Sequence, residues 1–167
     1  MDFGGDLPSG SGAMIPGVRA LVETVLLSAR DGQLCFRTVT RPLGDGEHPD
    51  ACARSLAGPD VGLLHSTSWR YTGGGIVLTY AGLPDADPVA AVEPVPDLPA
   101  VHSGDPLAPS PPVVRPVDVA AHACRHLAFL RHTDPHVAVL AAGGGEVWDL
   151  IDVFTPAVAG MFPIQVR

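Results

Sequence analysis

The feature that most constrains the fold of this chain is a hairpin pattern at residues 63–83, LLHSTSWRYTGGGIVLTYAGL. Two runs rich in β-branched and aromatic residues flank a glycine-rich turn at 72–75, and each run has the length of an ordinary strand. Antiparallel partners run in opposite directions, so one cross-strand pair determines the others. The predicted pairs are Tyr71–Ile76, Trp69–Leu78 and Thr67–Tyr80.

The predicted pairing gives this hairpin two unlike faces, because side chains alternate across a strand. The more apolar face carries His65, Thr67, Trp69, Tyr71, Ile76, Leu78 and Tyr80. The polar face carries Ser66, Ser68, Arg70 and Thr79. We expect Trp69, Leu78 and Tyr80 to face a long helix and the polar face to stay accessible to a ligand.

A second hairpin is predicted at residues 20–40, where ALVETVLLSA and LCFRTVT flank Asp31-Gly32. An Asp-Gly pair suits a two-residue type I′ turn, which needs positive φ at both positions. The pairs that follow from this turn are Ala29–Leu34, Leu27–Phe36 and Val25–Thr38.

Helical periodicity dominates the C-terminal part, where residues 117–132, VDVAAHACRHLAFLRH, form the one long predicted helix. Its apolar arc consists of Val117, Ala120, Ala121, Cys124, Leu127 and Ala128. Shorter helices are expected at 49–56, 136–142 and 146–154, bounded by proline or glycine. We therefore predict an α+β fold, in which an antiparallel or mixed sheet of two hairpins is packed by one long helix.

A single domain is expected from a chain of 167 residues. Residues 1–17 are acidic and glycine-rich, and we expect a flexible tail there, before one domain at 18–167. Ten of the 18 prolines fall in residues 84–116, which predicts an extended connector, because proline interrupts helices and sheet ladders alike. The connector either wraps over the domain or links the sheet to the C-terminal helices, and we favour wrapping.

Charge and composition argue against two classes of partner. The net charge is −8 and all ten basic residues are arginine, so the chain repels nucleic acid at long range. No apolar run approaches the ~18 residues that cross a bilayer, and the N-terminal residues lack the pattern of a secretion signal. Three cysteines without CxxC spacing favour a reducing compartment. We expect a soluble, cytoplasmic protein, and its oligomeric state stays open.

The polar side of the long helix carries a candidate metal site. Asp118, His122 and His126 follow one another at i, i+4 spacing. Two imidazoles so placed can both reach a divalent metal, and the carboxylate can be a third ligand or can orient one of them. A solvated helix face with incidental histidines is the alternative that we favour, because zinc helices usually add a glutamate between the histidines.

The 63–83 hairpin carries the second candidate, a ligand-binding site. Its predicted residues are His65, Ser66, Ser68 and Arg70. Arg70 is the expected anion anchor, since a guanidinium can hold two oxygens at once. Neither a nucleophile elbow nor a phosphate-binding glycine motif accompanies these residues. We therefore assign no catalytic residue.

Residues 44–56, GDGEHPDACARSL, resemble the opening of the helix that defines the Nudix family, where Gly-Glu is often followed by Ala-x-x-Arg-Glu-Leu. The matching positions are Gly46-Glu47 and Ala51, Arg54, Ser55 and Leu56. The resemblance covers residues 20–83 and implies a Nudix-like topology. Ser55 stands where the family has a metal-binding glutamate, so the resemblance implies the fold and not the hydrolysis. The hairpin that contains HSTSWRY, together with the later helix HACRHLAFL, also resembles bacterial proteins, and a bacterial source is expected.

Three functions are consistent with these patterns. The favoured one is a non-catalytic Nudix-like domain that binds a small anionic or nucleotide-like ligand, or a protein partner, without a cofactor. The second is a divergent hydrolase whose divalent metal is held by Asp118, His122 and His126, with His65 as a further ligand. The third is a structural or oligomeric protein, in which the proline-rich connector or an uncovered strand edge contacts a second subunit.

Overall fold

A computed structural model describes residues 19–88, 92–98, 105 and 111–158 of the chain. The predicted tail at 1–17 and parts of the proline-rich segment at 84–116 lie outside these residues. Within the described residues, strands dominate the first half and helices the second, with one short helix between the two hairpins.

The strands of the described sheet are β1 Arg19–Arg30, β2 Gln33–Pro42, β3 Leu63–Thr72, β4 Gly75–Leu83 and β5 Glu93–Pro94. β1 and β2 meet at the predicted turn, where Asp31 and Gly32 take positive φ angles of 52° and 73°. The predicted pairs Ala29–Leu34, Leu27–Phe36 and Val25–Thr38 are all present. The first hairpin is therefore confirmed.

The strand order is β3-β4-β1-β2-β5, and the sheet is mixed. β1 runs parallel to β4, whereas the other neighbouring strands are antiparallel. The two hairpins therefore join side by side through β1 and β4, which confirms an α+β fold with a mixed sheet. β5 pairs with β2 from within the proline-rich segment, a strand that the sequence did not lead us to expect.

A β-bulge interrupts the second hairpin between Ser66 and Ser68 and leaves Thr67 without a cross-strand partner. The Thr67 hydroxyl donates a hydrogen bond of 3.3 Å to the backbone carbonyl of Thr79. Because the bulge adds one residue to β3, Ser66 stands opposite Tyr80, where Thr67 was expected. The predicted pairing is therefore right from the turn to Ser68 and wrong beyond it.

The described helices are α1 Pro49–Ala57, α2 Pro116–Thr133, α3 Pro135–Gly143 and α4 Glu146–Ile151. All four predicted helices are present, with bounds that differ by a few residues. Asp134 begins α3, where its carboxylate accepts hydrogen bonds from the backbone N–H groups of His136 at 2.8 Å and Val137 at 3.2 Å. These bonds lower the pKa of Asp134, because they stabilise its charged form.

Helices cover both faces of the sheet. α1 packs on one face, which we call the α1 face, where Val22 and Tyr80 contact Cys52 and Ala53. α2, α3 and α4 pack on the opposite face, the α2 face, whose sheet residues include Val25, Leu27, Phe36, Ala81 and Leu83. Three helices therefore share the face for which one long helix was expected, and the larger core lies beneath them.

Gly75 begins β4 at the point where that strand meets β1. A Cβ atom at this position would lie 2.4 Å from the backbone carbonyl oxygen of Arg19, a contact that no side-chain rotation relieves. We expect Gly75→Ala to lower the free energy of unfolding by roughly 1–3 kcal/mol, as overpacking does. Urea denaturation followed by circular dichroism measures the change.

Gly143, the last residue of α3, provides the matched control. No described atom lies within 4 Å of a Cβ added there, and alanine is the better helix former by up to about 1 kcal/mol. Gly143→Ala should therefore leave the stability unchanged or raise it. Equal destabilisation by the two substitutions would contradict a close approach of β1 and β4 at Gly75.

Candidate functional site

Three histidines converge between β3 and α2. The ring centroids of His65 and His126 lie 5.3 Å apart, with the ring planes at 33°. His122, one turn before His126, forms a hydrogen bond with the backbone of Thr67. We call His65, His122 and His126 the histidine cluster. The cluster combines residues from the two sites predicted from the sequence: His65 from the ligand-binding site on β3, and His122 and His126 from the metal site on α2.

The bulge at Thr67 brings His65 to this cluster. Simple alternation from Trp69 would place His65 on the α1 face, but after the bulge His65 pairs with Ala81 on the α2 face. Trp69 stays on the α1 face with Leu78 and is 67% exposed. Two expectations are therefore wrong: His65 does not share a face with Trp69, and the face of Trp69 does not meet the long helix.

The histidine side of α2 packs against the protein and is not a solvated helix face. His126 is only 6% exposed, and His122 and His65 are half-buried. Phe129 stacks on His126 with the ring centroids 6.3 Å apart and the planes at 19°. The solvated face that we favoured from the sequence is therefore wrong, because this side of α2 meets β3.

Burial lowers the pKa of all three imidazoles from their usual range, because desolvation disfavours the charged form. For His126 the neighbouring His65 and His122 lower the pKa further. Arg125 acts in the same direction on His122. Backbone hydrogen bonds raise the pKa of His122 and His126 and offset part of these effects. The cluster is thus mainly neutral near pH 7.

Charges of both signs border the histidine cluster. The Asp134 carboxylate raises the pKa of His65 and so opposes the effect of burial. Arg125 is 8% exposed, and its Nη2 lies 3.4 Å from Oδ1 of Asp97. The Nε of Arg125 is buried without a hydrogen-bond acceptor among the described residues. A buried donor without an acceptor costs stability, so the surroundings of Arg125 are electrostatically unfavourable as far as the described residues show.

An apolar cavity of about 310 Å³ lies near the start of β3. Its lining includes Leu63, Leu83, Val139, Leu140, Val147 and Trp148, from β3, β4, α3 and α4. Leu63 precedes His65 by two residues on the same side of β3, so their Cα atoms are separated by roughly 7 Å. His65 is therefore the member of the histidine cluster that is close to the cavity along β3, and no described histidine is part of the cavity lining.

The predicted ligand-binding residues of β3 do not share one surface. Ser66 lies on the α1 face, whereas Ser68 and Arg70 lie on the α2 face. The Arg70 guanidinium donates two hydrogen bonds to the Glu23 carboxylate, at 2.8 and 2.9 Å. It also donates to the Thr79 hydroxyl at 3.1 Å, which in turn donates to Glu23 at 3.0 Å. Arg70 thus holds a carboxylate of its own chain, with which any anion would compete.

Asp118 does not join the histidines of its helix. Its carboxylate accepts hydrogen bonds from the Arg115 side chain at 2.7 and 2.9 Å and from the Arg115 backbone N–H at 3.0 Å. The Arg115 guanidinium keeps the pKa of Asp118 below its usual range. Across residues 19–88, 92–98, 105 and 111–158, no group of three or more His, Cys, Asp or Glu side chains is arranged to hold a metal ion.

The sequence indicated a positive charge at Arg125 near the two histidines, but neither the burial of Arg125 nor the apolar cavity was predicted. Arg125 lies between His122 and His126, on a side of α2 that the sequence predicted to be exposed. No feature of the sequence around Arg125 indicates that its side chain is buried. The i, i+4 spacing of His122 and His126 was the one signal that pointed to the cluster.

No protein-family model, curated protein or solved structure matches this chain. None of the described helices has both the length and the apolar character that a membrane crossing requires. The function is therefore inferred from the site itself.

The lowered pKa values predict that acid destabilises the fold. The unfolded chain binds protons at the ordinary histidine pKa of about 6.5, whereas the folded cluster binds them only at lower pH. The stability should therefore be full above that pKa and decrease as the pH falls below it, by at most about 1.4 kcal/mol per histidine and pH unit. Urea midpoints between about pH 8 and pH 5.5 measure the slope.

Two substitutions in α2 test whether the histidine cluster causes this dependence of stability on pH. His126→Phe keeps a ring beside Phe129 but cannot bind a proton, so the stability should depend less on pH. His132→Gln removes an exposed histidine from the same helix and should leave the slope unchanged. An unchanged slope in His126→Phe would mean that the cluster does not control the acid response.

The Glu23–Arg70 pair should contribute strongly to stability. Glu23 is 8% exposed, so Glu23→Gln leaves a half-buried arginine facing an uncharged amide. We expect a loss on the order of 2–4 kcal/mol, toward the lower part of the range for broken buried pairs because Arg70 retains some solvent contact. Urea denaturation at neutral pH measures it.

Glu47→Gln is the control for this prediction. Glu47 and Arg41 form a similar two-bond pair, at 2.6 and 2.8 Å, but both side chains are more open to solvent than those of Glu23 and Arg70. Solvent screening makes such pairs weak, so this substitution should have clearly the smaller effect. The opposite order would contradict the role given to Glu23.

Proposed function

We propose that this protein is a non-catalytic binding domain for a small organic anion, which it holds between β3 and α2. The observation that carries the proposal is the 5.3 Å approach of His65 and His126, together with an apolar cavity of about 310 Å³ whose lining includes Leu63, two residues before His65 on β3. The charged end of the ligand would meet the imidazoles, and its apolar part would enter the cavity. The proposal keeps the anionic ligand expected from the sequence but places it at the His65 end of β3, away from Arg70.

The imidazoles suit an anion although they are mainly neutral. A neutral imidazole carries one N–H donor, and those of His122 and His126 meet the backbone of Thr67 and Ala157. The His65 ring would therefore donate to the anion, and a bound carboxylate or phosphate would raise the pKa of that ring. Binding would therefore take up protons and become tighter as the pH falls below about 6.5. Arg125 adds a permanent positive charge near His122.

Size and charge narrow the class of ligand. A cavity of about 310 Å³ is at the small end of ligand pockets, which span roughly 300–1,000 Å³. Its lining is mostly apolar, so it suits an alkyl chain or a single ring better than a sugar. The net charge of −8 disfavours polyanions at long range. A monocarboxylate or a monophosphate ester therefore fits better than a triphosphate.

A non-catalytic binding domain is compatible with a Nudix-like fold that has lost the hydrolytic activity of the family. α1 follows the first hairpin, as the metal-binding helix of that family does, but it carries Ser55 where the family has a glutamate. Glu47, just before α1, is held by Arg41, which keeps the pKa of Glu47 at about 2. Nothing in α1 therefore supports phosphoryl chemistry, and a metal-dependent hydrolase is the weaker reading because Asp118 is engaged by Arg115.

Isothermal titration calorimetry with octanoate, benzoate and inorganic phosphate tests this function. We expect octanoate or benzoate to bind at least about tenfold more tightly than phosphate, since only they can fill the apolar cavity. The affinity should be higher at about pH 6 than at about pH 8. His65→Leu should weaken binding by roughly tenfold or more, the loss of one charge-assisted hydrogen bond.

His132→Gln is again the matched control and should bind as the unchanged protein does. Absence of binding by all three anions at both pH values would refute an anion site. Equal affinities for phosphate and octanoate would refute the role of the cavity, and unchanged affinity in His65→Leu would refute the role of the cluster.

A further inference from the structure

The strand β3 lies at the edge of the sheet. It pairs with β4 on one side, and no described residue pairs with its other side. The edge extends over the ten residues of β3, and an uncovered strand presents backbone N–H and C=O groups ready to pair with another extended chain. Backbone geometry therefore points to a β-strand as the partner of this edge.

β3 lacks most of the devices that keep edge strands from pairing. It contains neither lysine nor proline, and its one arginine, Arg70, is neutralised by Glu23. His65 points to the histidine cluster on the α2 face. The bulge at Thr67 and the hydrogen bond between His122 and the Thr67 backbone both work against pairing there, but they leave the segment from Ser68 to Thr72 regular. In a protein of net charge −8, this edge is a locally neutral strip.

Two large aromatic rings stand beside this edge on the α1 face. Trp69 is 67% exposed and Tyr71 is 65% exposed. They occupy alternate positions of β3, so both project from the same side of the sheet. Exposed aromatic rings of this size are typical of the centres of protein interfaces.

We propose that β3 pairs with β3 of a second copy of this chain, which joins the two sheets edge to edge. A two-fold axis perpendicular to the sheet makes identical strands antiparallel and keeps the α1 faces of both copies on the same side. Trp69 and Tyr71 of both copies would then lie together on that side. A second copy is favoured over a charged partner because the edge is neutral, so two chains of like net charge can approach there.

The surface area that the Trp69 and Tyr71 rings could bury shows which other contacts the dimer interface needs. Burying such rings removes roughly 150–250 Å² each, so the exposed parts of four rings would supply roughly 400–650 Å² of the ~1,200–2,000 Å² that stable interfaces bury. The rings alone are therefore not enough. Backbone pairing along β3 has to supply much of the rest, so edge and rings act as one interface.

Sedimentation velocity of the full chain, over a concentration series up to about 1 mM, tests the dimer. We expect a monomer–dimer equilibrium, and we expect Trp69→Ser with Tyr71→Ser to weaken it at least about tenfold. Val153→Ser is the matched control, because Val153 is 69% exposed but lies far along the chain from β3. It should leave the equilibrium unchanged. Circular dichroism and thermal melting confirm that each variant is folded.

Hydrogen exchange supplies a second measurement that needs no substitution. The backbone amides on the outer side of β3 should exchange more slowly at high protein concentration than at low concentration, whereas those of β1 should not change. A chain that stays monomeric over the series overturns the proposal. A dimer that persists in the double variant with unprotected β3 amides also overturns it, because its interface then lies elsewhere. A monomer whose Trp69 and Tyr71 bind a soluble glucan would make the patch a carbohydrate platform, not a dimer interface.

Discussion

One extra residue in β3 determines how the candidate site is assembled. Thr67 is not paired with β4, so the residues of β3 that precede it lie on the opposite face of the sheet from the one that a regular strand would give them. His65 thereby reaches the side of the sheet that α2 covers, where His126 lies 5.3 Å away. The same displacement leaves the backbone of Thr67 to form a hydrogen bond with His122. A regular strand would have left the two histidines of α2 without a partner from the sheet.

The Glu23–Arg70 pair provides a second constraint, because it ties the outer strand to the centre of the sheet. Glu23 comes from β1 and Arg70 from β3, and the Thr79 hydroxyl of the intervening β4 links them. The three strands are therefore connected by side chains as well as by the backbone ladder. Since Glu23 neutralises Arg70, the positive charge that acts on the cluster is that of Arg125, which lowers the pKa of His122.

Local patterns predicted the two hairpins and the four helices of this fold, but neither β5 nor the contacts that make its site. The Asp31-Gly32 turn set the register of the first hairpin, because only a short turn with positive φ closes it. The bulge had no comparable signal, since Ser66, Thr67 and Ser68 are all small and polar and suit either face. Asp118 was misjudged for a related reason: helical spacing places it near His122, but Arg115 one turn earlier holds its carboxylate.

The histidine cluster illustrates why a binding site can weaken the fold that carries it. Burial keeps the three imidazoles neutral, so each proton that they take up costs stability unless a counter-charge accompanies it. An anion among the rings would supply that counter-charge and would bind the folded chain alone, which stabilises it. Ligand binding and acid resistance would then be coupled through the same side chains. Because β3 carries both His65 and the outer edge of the sheet, pairing at that edge would hold in place the strand on which the cluster depends.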